Sequence, residues 1–183
     1  LGYFLIVGVA AWFVLTTFRD EVKPGVRKAM EATLVDTAQV LARLAAPELA
    51  AGRIQDGAFA AALRDIGRAR LDTHVWNVPK TRIDYRVYVT DTKGIVRFDS
   101  AGRDVGRDYS RWNDVYLTLR GKYGARSTRT DPADEGSSVM HVSAPVRWDG
   151  RVIGVLTVAK PNVTVEPFIQ ASRDRILEAG VWL

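Results

Sequence analysis

Cysteine is absent from the 183 residues, and histidine and methionine occur only twice each. Missing thiols exclude disulfides, thiolate nucleophiles and Cys-ligated zinc, while leaving the redox compartment open, since an exported domain can do without disulfides. Enzyme signatures are lacking too: there is no HExxH, no GxSxG, no Gly-rich phosphate loop and no close pair of histidines. His74 stands alone near Trp76 and reads as a surface or packing residue. Asp131, Asp134 and Glu135 lack the spacing of a calcium loop and read as a solvated turn. No catalytic centre, metal or cofactor is expected within this chain.

Charge is missing from one stretch. Leu1 to Phe18 (LGYFLIVGVAAWFVLTTF) contains no Asp, Glu, Lys or Arg. At about 1.5 Å of rise per residue such a helix is about 27 Å long, near the roughly 30 Å of a bilayer core. A signal peptide would need a shorter apolar core and a small-residue cleavage site, whereas Val14, Leu15 and Phe18 run into Arg19, Asp20 and Glu21. An uncleaved membrane anchor over residues 1–18 is therefore expected, ahead of a signal peptide or a buried core helix. Arg19 and Lys23 are offset by Asp20 and Glu21, so the charges leave orientation open. Residues 179–183 turn apolar again and are expected to begin a second anchor, with both ends leaving a folded middle, residues 19–178, on one side of the membrane.

That middle carries all of the formal +5 charge, with a pI near 9.7, and has the size of one domain. A basic domain suits a small anionic ligand, anionic headgroups or nucleic acid, or is simply kept soluble by its charge. Nucleic acid is not expected as a partner, because the Arg and Lys residues are scattered and the domain is tethered to a membrane.

After Pro24 and Gly25, which kink or restart the helix, Met30, Leu34, Thr37, Leu41 and Leu44 recur at spacings of four and three. They predict an amphipathic helix packed on its own sheet, and the same stripe is open to a second copy in a homodimer. Gly57–Ala69 predicts a short helix carrying Phe59, Leu63 and Ile66, and Arg70–Ile83 reads as loop. From Tyr85 the period becomes two. Tyr85–Thr90 and Ile95–Asp99 form a hairpin across Asp91–Gly94; Arg111–Arg120 forms a helix ended by Gly121. Strands follow at Tyr123–Thr128, Val139–Val146 and Arg151–Ala159, the last two joined at Trp148–Gly150. A helix from about Val163 leads away. The fold class is α+β, a five-stranded antiparallel sheet with a long N-terminal helix.

Alternation along Val139–Val146 puts Met140, Val142, Ala144 and Val146 on one face and His141 and Ser143 on the other. The apolar face suits the long helix, leaving His141 and Ser143 to face either a ligand cavity under the middle helix or water. In the first hairpin Arg97 has the same ambiguity, with Arg86 and Tyr88 sharing a face of the neighbouring strand. An arginine fork suits a carboxylate, since it donates two parallel hydrogen bonds.

The segments VKPGVRKAMEATLVDTAQVLARLA, DYSRWNDVYLTLRGKYGARSTR, DPADEGSSVMHVSAPV and IGVLTVAKPN resemble the extracytoplasmic part of a bacterial two-component sensor histidine kinase linked to carbon metabolism. More broadly, TDTKGIVRFDS followed by VGRDY resembles the PAS-like Cache sensor domains of dicarboxylate- and citrate-sensing kinases. The resemblance implies that Arg97 holds a ligand carboxylate, that Ser100 stands where those relatives have a histidine, and that His141 and Ser143 fall on pocket positions. Tyr88 and Trp112 are taken as pocket walls, and Arg126 joins the candidate ligand set. With Ser100 and His141 departing from the motif, a di- or tricarboxylate preference does not follow automatically. The resemblance also implies an inner-membrane protein with its sensor in the periplasm. Its kinase part, with ATP and Mg, and its response-regulator partner would act through residues outside this chain. Alternative outputs for the same sensor are chemotaxis or a nucleotide cyclase, and a further alternative is a membrane-anchored periplasmic interaction module without signalling.

Overall fold

The computed structural model of the chain describes residues 2–17, 23–75, 78–129, 131–133 and 137–161. The exit helix expected from Val163 and the apolar end at 179–183 lie outside these residues. Two units are distinguished, residues 1–33 and residues 34–183, and each is taken by itself.

In the first unit, helix α1 (Gly2–Thr17) runs for 16 residues without a charge. It is apolar all round, and Ile6, Val9, Trp12 and Phe13 are all exposed. Among the described residues no helix is both long and apolar enough to cross a membrane. Helix α2 (Lys23–Ala50) begins in this unit. Pro24 is its second residue, a first-turn position where a missing N–H breaks no helical hydrogen bond.

In the second unit α2 buries Leu34, Ala38, Ala42, Ala45 and Ala46. This stripe differs from the one the bulky residues predict: Leu34 is on it, Thr37 and Leu41 lie half-buried at its margin, and Leu44 is exposed together with Val40. Small side chains allow close packing, so the buried line follows alanines. Gly52, at φ 69°, ends the helix in the left-handed conformation. The Glu48 carboxylate then receives the Phe59 amide at 3.2 Å from both oxygens, capping helix α3 (Ala58–Arg68). Helix α3 buries Phe59 and Ala60, while Leu63 is half-buried and Ile66 exposed.

The stretch read as loop contains a small antiparallel pair, β1 (Thr73–Val75) with β2 (Val78–Lys80). The main sheet is made of β3 (Arg86–Asp91), β4 (Val96–Asp99), β5 (Gly124–Arg129), β6 (Ser138–Trp148) and β7 (Arg151–Pro161), in the order β4-β3-β7-β6-β5. All four neighbouring pairs are antiparallel. Each strand matches its sequence prediction to within one or two residues. The β6–β7 turn places both Asp149 (φ 47°) and Gly150 (φ 76°) in the left-handed region, as a two-residue hairpin turn matched to strand twist requires.

Cross-strand partners share a face of the sheet, so the register sorts the side chains. One face gathers Val87, Val89, Phe98, Val142, Ala144, Leu156 and Val158. Helices α2 and α3 cover it: Phe59 meets Phe98 edge-on at 5.8 Å, and a Cβ on Gly154 would come within 2.8 Å of Leu49 Cδ2. The opposite face carries Tyr88, Val96 and Val155, packed with Tyr109, Trp112, Val115 and Leu119, beneath helix α4 (Asn113–Leu119).

Gly154→Ala is expected to destabilise the domain, because the added methyl would overlap the Thr90 carbonyl within the ladder as well as Leu49. Overpacking of this kind costs about 1–3 kcal/mol. Urea unfolding would show it as a lower midpoint at unchanged slope.

Candidate functional site

Helix α4 lies over strands β5, β6 and β7, and a cluster of buried polar side chains fills the layer between them. Its centre is Asp114, fully buried in the helix's first turn. The Asp114 carboxylate accepts a hydrogen bond from Arg126 Nε at 2.8 Å, a second from the Tyr88 hydroxyl and a third from Thr157 Oγ1 at 3.2 Å. Arg126 reaches it from β5, with only 15% of its side chain exposed. The guanidinium lies 4.0 Å from the centre of the Trp112 ring, within cation–π range.

The same arginine reaches further. Its Nη2 is 3.2 Å from His141 Nδ1 and 3.5 Å from the Tyr88 hydroxyl oxygen. Because a guanidinium only donates, Nδ1 must accept; the ring proton then sits on Nε2, 3.1 Å from Thr128 Oγ1. Burial, reinforced by the positive charge of Arg126, pushes His141 down to about 4, so the imidazole is neutral at neutral pH. Burial and the neighbouring Asp114 charge hold the Tyr88 hydroxyl well above its ordinary value, which keeps it a donor. Ser143 Oγ lies 2.6 Å from the Asp114 carbonyl, 3.0 Å from the Gly124 carbonyl and 3.1 Å from Thr118 Oγ1. A Cβ on Gly124 would overlap the Asp114 carbonyl and Thr118 Oγ1. Helix backbone therefore rests directly on strand backbone at this point.

A second ion-pair network adjoins the first. Arg86 pairs with both Asp99 oxygens at 2.9 Å and with Asp104, and the Tyr109 hydroxyl donates to Asp104 at 2.6 Å. Burial opposes ionisation of Asp99, but hydrogen bonds from Arg86 and from the Ala101 amide outweigh it and hold its carboxyl below the ordinary value. Tyr109 links the two networks, stacking on Trp112 with ring centres 3.5 Å apart and meeting Tyr88 edge-on at 5.2 Å.

Of the residues singled out in the sequence, Tyr88, Trp112, Arg126, His141 and Ser143 come together under α4. The face of β6 bearing His141 and Ser143 turns away from α2 and toward the middle helix. Two others are elsewhere. Arg97 is skipped by the β3–β4 ladder, which steps from Val89–Phe98 to Thr90–Val96; its exposed side chain pairs with Asp91 at 2.8 Å. Ser100 accepts the Val87 amide at 2.9 Å and lines cavities on the α2–α3 side. Asp114 was not anticipated, because one acid on a short helix reads as solvated. Its only sequence signal is its place beside Val115 and one turn before Thr118, both of them buried.

An arginine gripping a carboxylate is the chemistry of organic-acid recognition. Here the carboxylate is the chain's own. Any incoming anion at Arg126 has to compete with Asp114. Among the described residues no group of acids and histidines is arranged to hold a metal ion.

No protein-family model matches the chain. It is 54% identical over all 183 residues to the sensor protein CreC of Escherichia coli strain K12, and spans 39% of that protein's length. Two solved structures share the fold. One is the sensor domain of the Vibrio cholerae histidine kinase DctB, with a TM-score of 0.51 and 17% identity over 93% of this chain and 61% of that one. The other is the Escherichia coli DcuS sensor domain, with a TM-score of 0.50 and 18% identity over 76% of this chain and 97% of that one.

Two outcomes follow from the cluster. Asp114→Asn and Arg126→Met each leave a buried group unpaired and are expected to cost about 3–5 kcal/mol, the double variant less than their sum; chemical unfolding of the four proteins measures the coupling. For His141, the unfolded chain takes up a proton near the ordinary 6.5 and the folded chain only near 4. More protons are then bound unfolded across that window, so stability falls as pH drops through it. His141→Gln should flatten that part of a melting-temperature profile.

Proposed function

We infer that a chain matching CreC from end to end is the signal-sensing domain of a CreC-type sensor histidine kinase. The identity of 54% along the whole chain carries this reading, and the PAS-like sheet shared with two histidine-kinase sensor domains supports it. In this reading the uncharged, outward-apolar α1 is the first anchor in the bacterial inner membrane and the domain stands in the periplasm. Val40 and Leu44, exposed one turn apart on α2, are the contact of a homodimer. Kinase activity, with ATP and Mg, and phosphotransfer to the response regulator CreB belong to the part of the protein beyond this chain.

The stimulus is read under α4. A small anion such as a carboxylate exchanges with Asp114 at Arg126, with His141 and Ser143 beside it and Tyr88 and Trp112 as walls. Release of Asp114 loosens the first turn of α4, and the change passes through Thr157 into β7. A ligand shifts such an equilibrium only by binding its two states unequally; a coupling of about 1–3 kcal/mol, roughly 5–150-fold, is the usual size.

The test is phosphotransfer to CreB by the full-length protein in membranes. Tyr88→Phe, which removes one donor from Asp114, and Arg126→Lys, which keeps the charge but loses the fork, are each expected to change basal or carboxylate-stimulated transfer by at least about fivefold. Arg97→Gln, remote from the cluster, should leave both within about twofold. Unchanged transfer in both cluster variants would overturn the α4 site, and absence of any phosphotransfer would overturn the kinase reading.

A further inference from the structure

On the opposite side of the sheet from Asp114, a cavity of about 380 Å³ opens between α2, α3 and the start of β3. Its size falls at the lower end of the roughly 300–1,000 Å³ of small-ligand sites. Leu41, Leu63, Ile66, Ile83 and Val87 contribute apolar walls, and Ile66 lies exposed, 41% accessible, on the α3 side.

Four charged residues line the cavity, and three are already committed. Lys80 pairs with Asp84 at 3.0 Å, and Arg86 is held by Asp99 and Asp104. Lys160 is different. Half-buried at the end of β7, its ammonium has no carboxylate within ion-pair distance among the described residues, and lies 5.0 Å from the centre of the Tyr85 ring. Lys160 is therefore left with no carboxylate in direct contact, only the Tyr85 ring and the field of Asp84, itself paired with Lys80, and a half-buried cation so placed costs free energy that an arriving anion offsets. Burial, followed by repulsion from Lys80, outweighs the opposing attraction of Asp84 and holds the Lys160 ammonium below its ordinary value.

We propose that this cavity is a binding site for a small aliphatic monocarboxylate, with the tail against Leu41, Leu63, Ile66 and Ile83 and the carboxylate at Lys160. A single free cation selects a monoanion over a di- or tricarboxylate, whose second charge would lie against leucine and isoleucine. A neutral or cationic amphiphile of the same length leaves Lys160 unsatisfied. The site is separate from Arg126 and does not rest on the α4 reading. It touches the strand that α4 also touches, since Lys160 and Thr157 both belong to β7.

The experiment titrates the full chain, reconstituted in phospholipid nanodiscs, with hexanoate, hexanol and hexylammonium, and follows the methyl resonances by NMR. Saturable hexanoate shifts are expected at Leu41, Leu63, Ile66 and Ile83, with hexanol at least about tenfold weaker and hexylammonium producing none. Lys160→Gln should weaken hexanoate by at least about tenfold and Lys160→Arg should retain it. Should Lys160→Gln fail to fold, the ratio of hexanoate to hexanol affinity in the unaltered chain still decides. Equal binding of hexanoate and hexanol, or unweakened binding to a folded Lys160→Gln, would overturn the proposal. So would shifts confined to the Val115 and Val155 methyls, which would place the anion under α4 instead.

Discussion

The pairing of Asp114 with Arg126 organises the side of the sheet that α4 covers. A carboxylate with no exposure survives there only because an arginine, a tyrosine and a threonine all point donors at it. The consequences spread outward. Arg126, fixed by Asp114, sets the tautomer of His141 and supports the Trp112 ring; Trp112 stacks on Tyr109, and Tyr109 reaches the Arg86 network through Asp104. Strands β3, β5, β6 and β7 and the loop before α4 are thus held through one charge pair. Replacing it with apolar side chains of similar volume need not weaken the fold, since buried ion pairs are seldom a net source of stability. In the proposed reading its contribution is to make the position of α4 depend on which anion Arg126 holds.

Strand β7 is where the two sides of the domain meet. It lies between β3 and β6, so its displacement is felt by both neighbours. Its side chains alternate between the two chemistries: Thr157 donates to Asp114, Leu156 and Val158 pack under the long helices, and Lys160 stands in the monocarboxylate cavity. Each proposed site thereby has a residue on the strand that ends at Pro161.

The sheet was legible in the sequence because period-two alternation and the Asp91–Gly94 and Asp149–Gly150 turns are local signals. For the same reason the opposite orientations of Met140 and His141 were legible. What the sequence concealed was non-local. The inner stripe of α2 is built from Ala38, Ala42 and Ala45, and alanine spacing carries little hydrophobic signal beside Leu41 and Leu44. Arg97 was expected to share the ligand face, but the β3–β4 ladder passes over it and it pairs with Asp91. The short β1–β2 pair contains a proline and no alternation long enough to register. Asp114 was hidden because nothing in a seven-residue helix reveals that its partner is an arginine 12 positions later.

Gly124 shows what kind of motion this architecture permits. With no side chain between β5 and the Asp114 carbonyl, helix and strand already touch main chain to main chain. Thr118 Oγ1 meets the same glycine one turn further on, so closer approach is blocked along both turns of α4, and a rearrangement of the helix would have to slide it over β5 rather than press it nearer.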